Sequence, residues 1–218
     1  MQISSLSVLA VEVTSKEASV SWKNKNLQGN LTFDNCRYIE TKLAHYVKRS
    51  LIELQHAPNI ILVGVGPGSY SSCRVAIAST ISLGLWYKCP VVGLPSTLAT
   101  LASRENTSIL IGNARRGQYF SWNMSNGNFN QTPQFHTQKA LAALVKNYQN
   151  PIYTFDDSND FLFEKTCVIS KIKPQASQLI DYWQTLNLTQ QEHLIDLYNH
   201  NSLEPIYLRS AQITPAKK

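Results

Sequence analysis

The hydrophobic positions of the first hundred residues fall into short runs that polar residues separate. Three runs, at 8–13, 18–22 and 27–33, have the length and residue types of β-strands, and the polar segments between them are typical of turns. Further runs at 60–65 and 90–93 predict two more strands.

One predicted helix precedes the strand at 60–65, and a second separates it from the strand at 90–93. After Asp34 or Asn35, either of which can serve as the N-cap, apolar residues recur at helical spacing up to about Gln55. The apolar positions of this helix are Ile39, Leu43, Tyr46, Val47, Leu51 and Leu54. A second helix is predicted from about Ser69, so this part of the chain reads β-β-β-α-β-α-β.

The second half of the chain begins with the same order of elements. Its predicted strands and helix lie at 108–111, 118–124, 137–148 and 152–155. Asn126-Gly127 is a hairpin signal, because both positions of such a turn favour a positive φ. After Asp156 the pattern predicts one further helix, from Gln175 to about Leu186.

This repetition predicts an internal duplication. We expect two α/β lobes, an N-terminal lobe of residues 1–103 and a C-terminal lobe of residues 104–218, each with a mixed sheet flanked by helices.

A glycine-rich turn, Gly64-Val65-Gly66-Pro67-Gly68-Ser69, joins the fourth strand to the second helix. Glycines at this place let backbone amides approach an anion at the helix N-terminus, so Gly66, Gly68 and Ser69 are candidate cofactor-binding residues. A tight structural turn is the alternative. The Lys-Ser/Thr pair of a Walker loop is absent, the spacing differs from a dinucleotide fingerprint, and the glycines of a nucleophile elbow are missing.

The helix after this turn has an unusual composition. Between Ser69 and Trp86 the only charged residue is Arg74. A helix that is apolar or small all round is covered on both sides, and its own sheet covers one. We interpret the other side as a protein–protein interface, with burial by the second lobe or the C-terminal segment as the alternative.

Composition and charge restrict the class of protein. The chain has 218 residues, 43% of them hydrophobic, which is typical of a folded protein. A net charge of +6 favours RNA or another anionic partner without requiring one, because the basic residues are scattered, as in Arg115-Arg116 and Lys217-Lys218. The histidines do not show the spacing of a metal site.

The cysteines and the N-terminus predict a compartment. Cys36, Cys73, Cys89 and Cys167 form no C-x-x-C pair and lie in contexts that suit buried thiols, which favours a reduced, cytoplasmic location. We expect neither a signal peptide nor a membrane span.

Five segments together resemble the TsaB (YeaZ) family. Residues 64–75 resemble its G-x-G-P-G-S-[FY]-T-G-x-R-[IV] signature, and residues 9–15 its opening strand. Gly93-Leu94-Pro95-Ser96-Thr97-Leu98, Asn113-Ala114-Arg115-Arg116-Gly117-Gln118 and Pro205-Ile206-Tyr207-Leu208-Arg209 resemble three further family segments in the same order.

The resemblance implies a duplicated actin-like ATPase fold of the Hsp70, actin and sugar-kinase type. It also implies a non-catalytic subunit that docks on the TsaD catalytic subunit and, with the TsaE ATPase, supports threonylcarbamoyl transfer to the adenosine beside the tRNA anticodon. In that family the partner surface is made by the two helices of the N-terminal lobe. The interface candidates are therefore Tyr46, Arg74, Ile77, Ile81 and Leu85.

Several residues depart from the family pattern. Glu12 and Asn113 replace two aspartates, Gln118 replaces a glutamate, and Ser72 and Ala76 replace glycines. In active members of the fold, acidic residues at these strand ends bind magnesium or orient water. We therefore expect no catalysis by this chain and no required cofactor or metal.

Two alternatives stay open at this point. One is an ATP-dependent phosphotransferase or ATPase of the same fold, with ATP or ADP against Gly66, Gly68 and Ser69 and with Glu12 on magnesium. The other is a homodimeric binding module that uses the same pair of helices.

Overall fold

The computed structural model describes residues 6–35, 38–100, 105–115, 117–126, 128–129, 132–156, 169–200 and 202–208. The predictions for Cys36, Cys167, Arg116, Arg209 and the Lys217-Lys218 pair concern residues outside this described part of the chain.

The first sheet has five strands in the order β3-β2-β1-β4-β5. They are β1 Val8–Glu12, β2 Glu17–Lys23, β3 Gln28–Asp34, β4 Ile60–Gly64 and β5 Val91–Leu94. Strands β1, β2 and β3 form an antiparallel meander, and β4 and β5 lie parallel to β1. All five predicted strands of this part of the chain are confirmed.

The second sheet has six strands, in the order β11-β10-β6-β7-β8 with β9 also paired to β7. They are β6 Ser108–Arg115, β7 Gln118–Ser125, β8 Asn128–Phe129, β9 Gln134–His136, β10 Ile152–Thr154 and β11 Ile169–Lys171. Strand β7 is antiparallel to β6, whereas β10 is parallel to both β6 and β11. The second sheet thus repeats the plan of the first, and the predicted duplicated actin-like fold is confirmed.

The hairpin predicted at Asn126-Gly127 is present. Ser125 pairs with Asn128 across the turn, and Asn126 has a φ of 49°, the left-handed conformation that this turn favours. Gly127 itself lies outside the described residues.

Five α-helices and a short 3-10 helix at Ser96–Ala99 lie between or after these strands within the described residues. The α-helices are α1 Ile39–Leu54, α2 Tyr70–Tyr87, α3 Gln138–Lys146, α4 Ala176–Thr185 and α5 Leu188–His200. The sequence-based expectation did not include β9, β11, α5 or the 3-10 helix, and it implied β8 only through the hairpin signal.

The start of α1 corrects one prediction. The helix begins at Ile39, after Tyr38 in a left-handed conformation with a φ of 66°, so neither Asp34 nor Asn35 is its N-cap. The side-chain amide of Asn35 instead donates to the carbonyls of Val13 at 2.5 Å and Ser15 at 2.8 Å. These bonds fix Asn35 at the end of β1 and make it part of the cleft described below.

Helices cover both faces of the first sheet. Leu9 and Val11 point to the face covered by α1 and α2, whereas Val8 and Ala10 point to the face covered by α4 and α5. Parallel central strands buried on both faces read as continuous hydrophobic runs, which explains the uninterrupted apolar sequence of β1 and β4.

Helices α4 and α5 follow the second sheet in the chain but pack on the first. Trp183 of α4 is 1% exposed in the core between α4 and β1. The predicted lobe boundary between residues 103 and 104 falls on residues outside the described part of the chain and stays a prediction. On the second sheet, α3 buries Leu141 and Val145 against Ile109 and Ile111.

Candidate functional site

The glycine turn lies at the carboxyl ends of three parallel strands, β1, β4 and β5. Strand β4 ends at Gly64 and helix α2 begins at Tyr70, so the predicted strand–turn–helix order is confirmed. In open α/β sheets this edge is where ligands bind.

Two glycines of the turn permit close packing within the protein. A Cβ atom on Gly64 would collide with the Glu12 carboxylate, and one on Gly68 would collide with the backbone carbonyl of Thr14. The turn after β1 therefore sits directly against the glycine turn. This packing is an intramolecular reason for glycine at both positions.

Within this turn, Gly66 and Ser69 already donate their backbone N–H groups to protein atoms. The Gly66 N–H donates to Ser96 Oγ at 3.1 Å, and the Ser69 N–H donates to the Thr14 carbonyl at 2.8 Å. The predicted role of Gly66, Gly68 and Ser69 in cofactor binding stays a prediction. Gly68 and Ser69 are exposed to the cleft, whereas Gly66 is buried.

Glu12 ends strand β1 beneath this turn and is fully buried. Its Oε1 atom accepts hydrogen bonds from the Thr14 N–H at 2.8 Å and from Thr14 Oγ1 at 2.5 Å. Burial raises the pKa of Glu12, an effect that the bonds from Thr14 only partly offset. The carboxyl thus holds the β1–β2 turn in place from inside the protein.

The matching edge of the second sheet has a different chemistry. Asn113 is exposed there, and its N–H donates to Asp156 Oδ2 at 2.7 Å. Asp156 follows β10, the parallel neighbour of β6, and so occupies the second-lobe position that corresponds to the glycine turn. Sequence reasoning missed Asp156, although its place directly after a buried strand was a usable signal.

A cleft of about 430 Å³ lies between the two sheets. The first lobe contributes Lys16, Asn35 and Ser69 to it, and the second contributes Phe120 and Asp156. Ser69, Ser72 and Asn35 form a hydrogen-bonded chain along its wall, with 2.8 Å between the two serine oxygens and 2.9 Å from Ser72 Oγ to Asn35 Oδ1. Ser72, which stands where the family signature has glycine, thereby links α2 to the end of β3.

Helix α2 turns one side inward and one side outward. Ser72, Cys73, Ala76, Ile77, Thr80 and Gly84 are its buried residues. Cys73 is a free thiol, and burial raises its pKa to about 12, so the predicted buried thiol is confirmed there. The outward side exposes Ile81 at 38%, Leu85 at 76% and Trp86 at 79%.

The five predicted interface residues therefore have different surroundings. Arg74, Ile81 and Leu85 are exposed on α2. Ile77 is 6% exposed in the core of the first lobe and offers almost no surface to a partner. Tyr46 on α1 is half-buried and stacks on Phe33, with 4.3 Å between the ring centroids.

Trp86 is the most exposed hydrophobic residue of α2, at 79%, and sequence reasoning did not select it. Its position follows Leu85 on the outward side, one turn beyond Ser82 and Leu83. The composition of the helix gave no signal for its direction, because Arg74 is the only charged residue in α2 and its serines and threonine occur on both sides.

The described residues contain no group of three or more His, Cys, Asp or Glu side chains that could hold a metal ion. Among the helices described, none has the length and hydropathy needed to cross a membrane.

Comparisons with known proteins add the following. No protein-family model matches the sequence, and no curated protein matches it. Among solved structures, YeaZ from Pseudomonas aeruginosa matches with a TM-score of 0.66 at 15% identity, over 93% of this chain and 99% of that one. The chain has the YeaZ fold.

A second structure from Pseudomonas aeruginosa, a protein described as similar to peptidase YeaZ, gives a TM-score of 0.64 at 16% identity. The match covers 94% of this chain and 100% of that one. At such identities the likeness establishes the fold, over both lobes and nearly the whole length.

Proposed function

We propose that this chain is a TsaB-type subunit that docks on a TsaD-type catalytic subunit and activates it for threonylcarbamoyl transfer to tRNA. The observation that carries the proposal is the outward side of α2, which presents Ile81, Leu85 and Trp86 to solvent in a chain with the YeaZ fold.

This side of α2 has the chemistry of a protein interface. Interface centres are depleted of charge and enriched in aromatic residues, and Arg74 is the only charged residue in the helix. Small residues, Ala78 and Ser82, lie between the large ones and are exposed, so another helix can come close. Large apolar residues grouped on one exposed side mark an interaction site.

Helix α1 packs beside α2. Its Ile52 is 66% exposed, whereas its apolar residues Ile39, Leu43, Val47 and Leu54 are buried. The stacking of Tyr46 on Phe33 fixes α1 on the sheet. A partner that contacts both helices would meet a surface already held rigid by the first lobe.

The cleft supports a non-catalytic role. Glu12 is the residue that stands where active members of the fold have a strand-end aspartate, but here it is buried and its pKa is raised. A carboxyl held in this state is a poor ligand for Mg²⁺, which prefers ionised oxygens that reach solvent. Chemistry at the complex would then come from the TsaD-type partner, with a TsaE-type ATPase and with tRNA bound through the complex in the cytoplasm.

Co-purification with a TsaD-type subunit tests the proposal. Leu85→Glu places a charge at the centre of the outward side of α2 without touching the core, and we expect it to abolish binding. Leu188→Glu is the matched control, because Leu188 is 53% exposed at the start of α5 and does not line the groove that Ile81 and Leu85 share with Ile195 and Tyr198 of that helix. Circular dichroism checks that both variants fold.

The same purified proteins give a second readout. The wild-type chain is expected to raise the rate of threonylcarbamoyl transfer by the TsaD-type subunit, and Leu85→Glu to lose this effect. Retained binding by folded Leu85→Glu would contradict the proposed surface.

Two measurements on the chain alone address the alternatives. Hydrolysis of Mg-ATP without a partner would favour an ATPase or phosphotransferase. Concentration-dependent light scattering that disappears in Leu85→Glu, together with no binding to the TsaD-type subunit, would favour a homodimeric module.

A further inference from the structure

The extended segment after α5, residues 202–208, runs between the two lobes. Leu203 and Ile206 pack against the core of the first lobe, and Ile206 and Leu208 pack against the core of the second. Ile206 therefore contacts both hydrophobic cores. Leu203 lies over Gly93 of β5, where a Cβ atom would collide with it.

Backbone contacts attach this segment to the glycine turn. The Ile206 N–H donates to the Val65 carbonyl at 2.7 Å, just beyond the end of β4. The Ile206 carbonyl lies 3.0 Å from the place where a Cβ atom would stand on Gly66, which has a φ of 103°. The conformation of Gly66 and the close approach of residue 206 together require glycine at this position.

Aromatic packing continues the contact on to helix α2. Tyr207 stacks on Tyr70, the first residue of the helix, with 4.7 Å between the ring centroids. The guanidinium of Arg74 lies over the Tyr70 ring, 5.5 Å from the ring centroid, and its Nη1 atom is 3.3 Å from the Tyr70 hydroxyl. Leu208 then lines the cleft beside Gly68 and Phe155.

We propose that residues 202–208 form an interlobe clamp, in which Ile206 joins the two hydrophobic cores and holds the lobes at one relative orientation across the cleft. Residues of the chain itself thus connect the two lobes across the cleft, a connection that a bound ligand could otherwise make. The proposal is independent of which partner binds α2.

Hydrogen exchange of the full chain, followed by mass spectrometry, tests the clamp. The two reporters are peptides that cover the first-lobe edge at residues 60–69 and the second-lobe edge at residues 108–120. Ile206→Ala is expected to speed exchange in both by roughly tenfold, the factor that corresponds to about 1.4 kcal/mol.

Two neighbouring substitutions serve as matched controls. Leu203→Ala removes packing from the first core and is expected to speed exchange at residues 60–69 alone. Leu208→Ala removes packing from the second core and is expected to act at residues 108–120 alone.

Two results would overturn the proposal. One is faster exchange in a single lobe after Ile206→Ala, as in the control variants. The other is an equal acceleration throughout the chain, including α1 and α3, which would mean a general loss of stability. If Ile206→Ala does not fold, Ile206→Val gives the same two-lobe pattern at smaller amplitude and is judged by the same criteria.

Discussion

The two lobes share one plan of strands but differ where their strands end at the cleft. In the first lobe the carboxyl of Glu12 is buried under a glycine turn that packs tightly on it. In the second lobe Asn113 and Asp156 meet at the cleft wall, where Asn113 is exposed. A duplicated fold thus keeps its backbone pattern while the chemistry of the two edges diverges.

The helices of the two lobes differ in the same way. Helix α3, which follows the antiparallel strands of the second lobe as α1 does in the first, exposes Lys139 and Lys146, whereas α2 exposes Leu85 and Trp86. In the first lobe, therefore, the carboxyl at the strand edge is buried, and large hydrophobic residues are exposed on the outward side of α2. This difference is the reason that we propose a functional surface on α2 rather than in the cleft.

The largest expected effect comes from breaking the tight packing of the first-lobe edge. Gly64→Ala forces a Cβ atom against the buried Glu12 carboxyl and should destabilise the protein by about 3 kcal/mol or more. Gly117→Ala in the second lobe is the control: its Cβ would meet no atom within 4 Å, but its φ of 71° should cost about 1 kcal/mol. Denaturant unfolding measures both, and equal losses would contradict the contrast.

The two sides of α2 give the next effect. Ile77→Ala removes a residue that is 6% exposed in the first-lobe core and should cost roughly 2 to 5 kcal/mol. Leu85→Ala, at a residue that is 76% exposed, should change the free energy of unfolding by less than about 0.5 kcal/mol. Chemical denaturation measures the free energy of unfolding of both variants. A large loss for Leu85→Ala would mean that other residues of the same chain cover the outward side of α2.

The pH dependence of stability tests the buried carboxyl. Because burial raises the pKa of Glu12, the folded state holds its proton to a higher pH than the unfolded chain does. Stability is therefore lost as the pH rises above the ordinary value of 4.5 toward the raised value in the folded state. Glu12→Gln should lose less stability than the wild type over this rise. If the curves of unfolding free energy against pH run parallel for the wild type and Glu12→Gln, Glu12 does not titrate in the way that its burial predicts.

A smaller effect than that of Gly64→Ala is expected at the second-lobe edge. Asp156→Ala removes the acceptor of the Asn113 N–H, and because Asn113 is exposed, water can replace it. The loss should be about 1 kcal/mol in thermal or denaturant unfolding. A loss as large as that of Gly64→Ala would mean that the two edges are equally closed.

Much of the fold follows from local sequence. The apolar runs predict β1 to β7 and β10, and the helical spacing predicts α1, α3 and α4, since these elements carry their own periodicity. Helix α2 is predicted instead from its place after the glycine turn and from its run of small and apolar residues. Strands β9 and β11 are three residues each and α5 has a weak apolar stripe, so their local signals are too short or too mixed to identify. Asn35 has the residue type of an N-cap, but hydrogen bonds to the β1–β2 turn outweigh that preference.

The duplication, the glycine turn and the nearly uncharged composition of α2 follow from the sequence, because spacing and residue type are local properties. The packing of the folded chain was needed to show which side of α2 faces solvent, that Ile77 is core, that Asp156 stands opposite the glycine turn and that Ile206 packs on both lobes. Each of these depends on contacts between residues far apart in the chain. A helix with almost no charge carries no periodic signal of its outer side, so packing against the sheet, rather than residue type, sets its orientation.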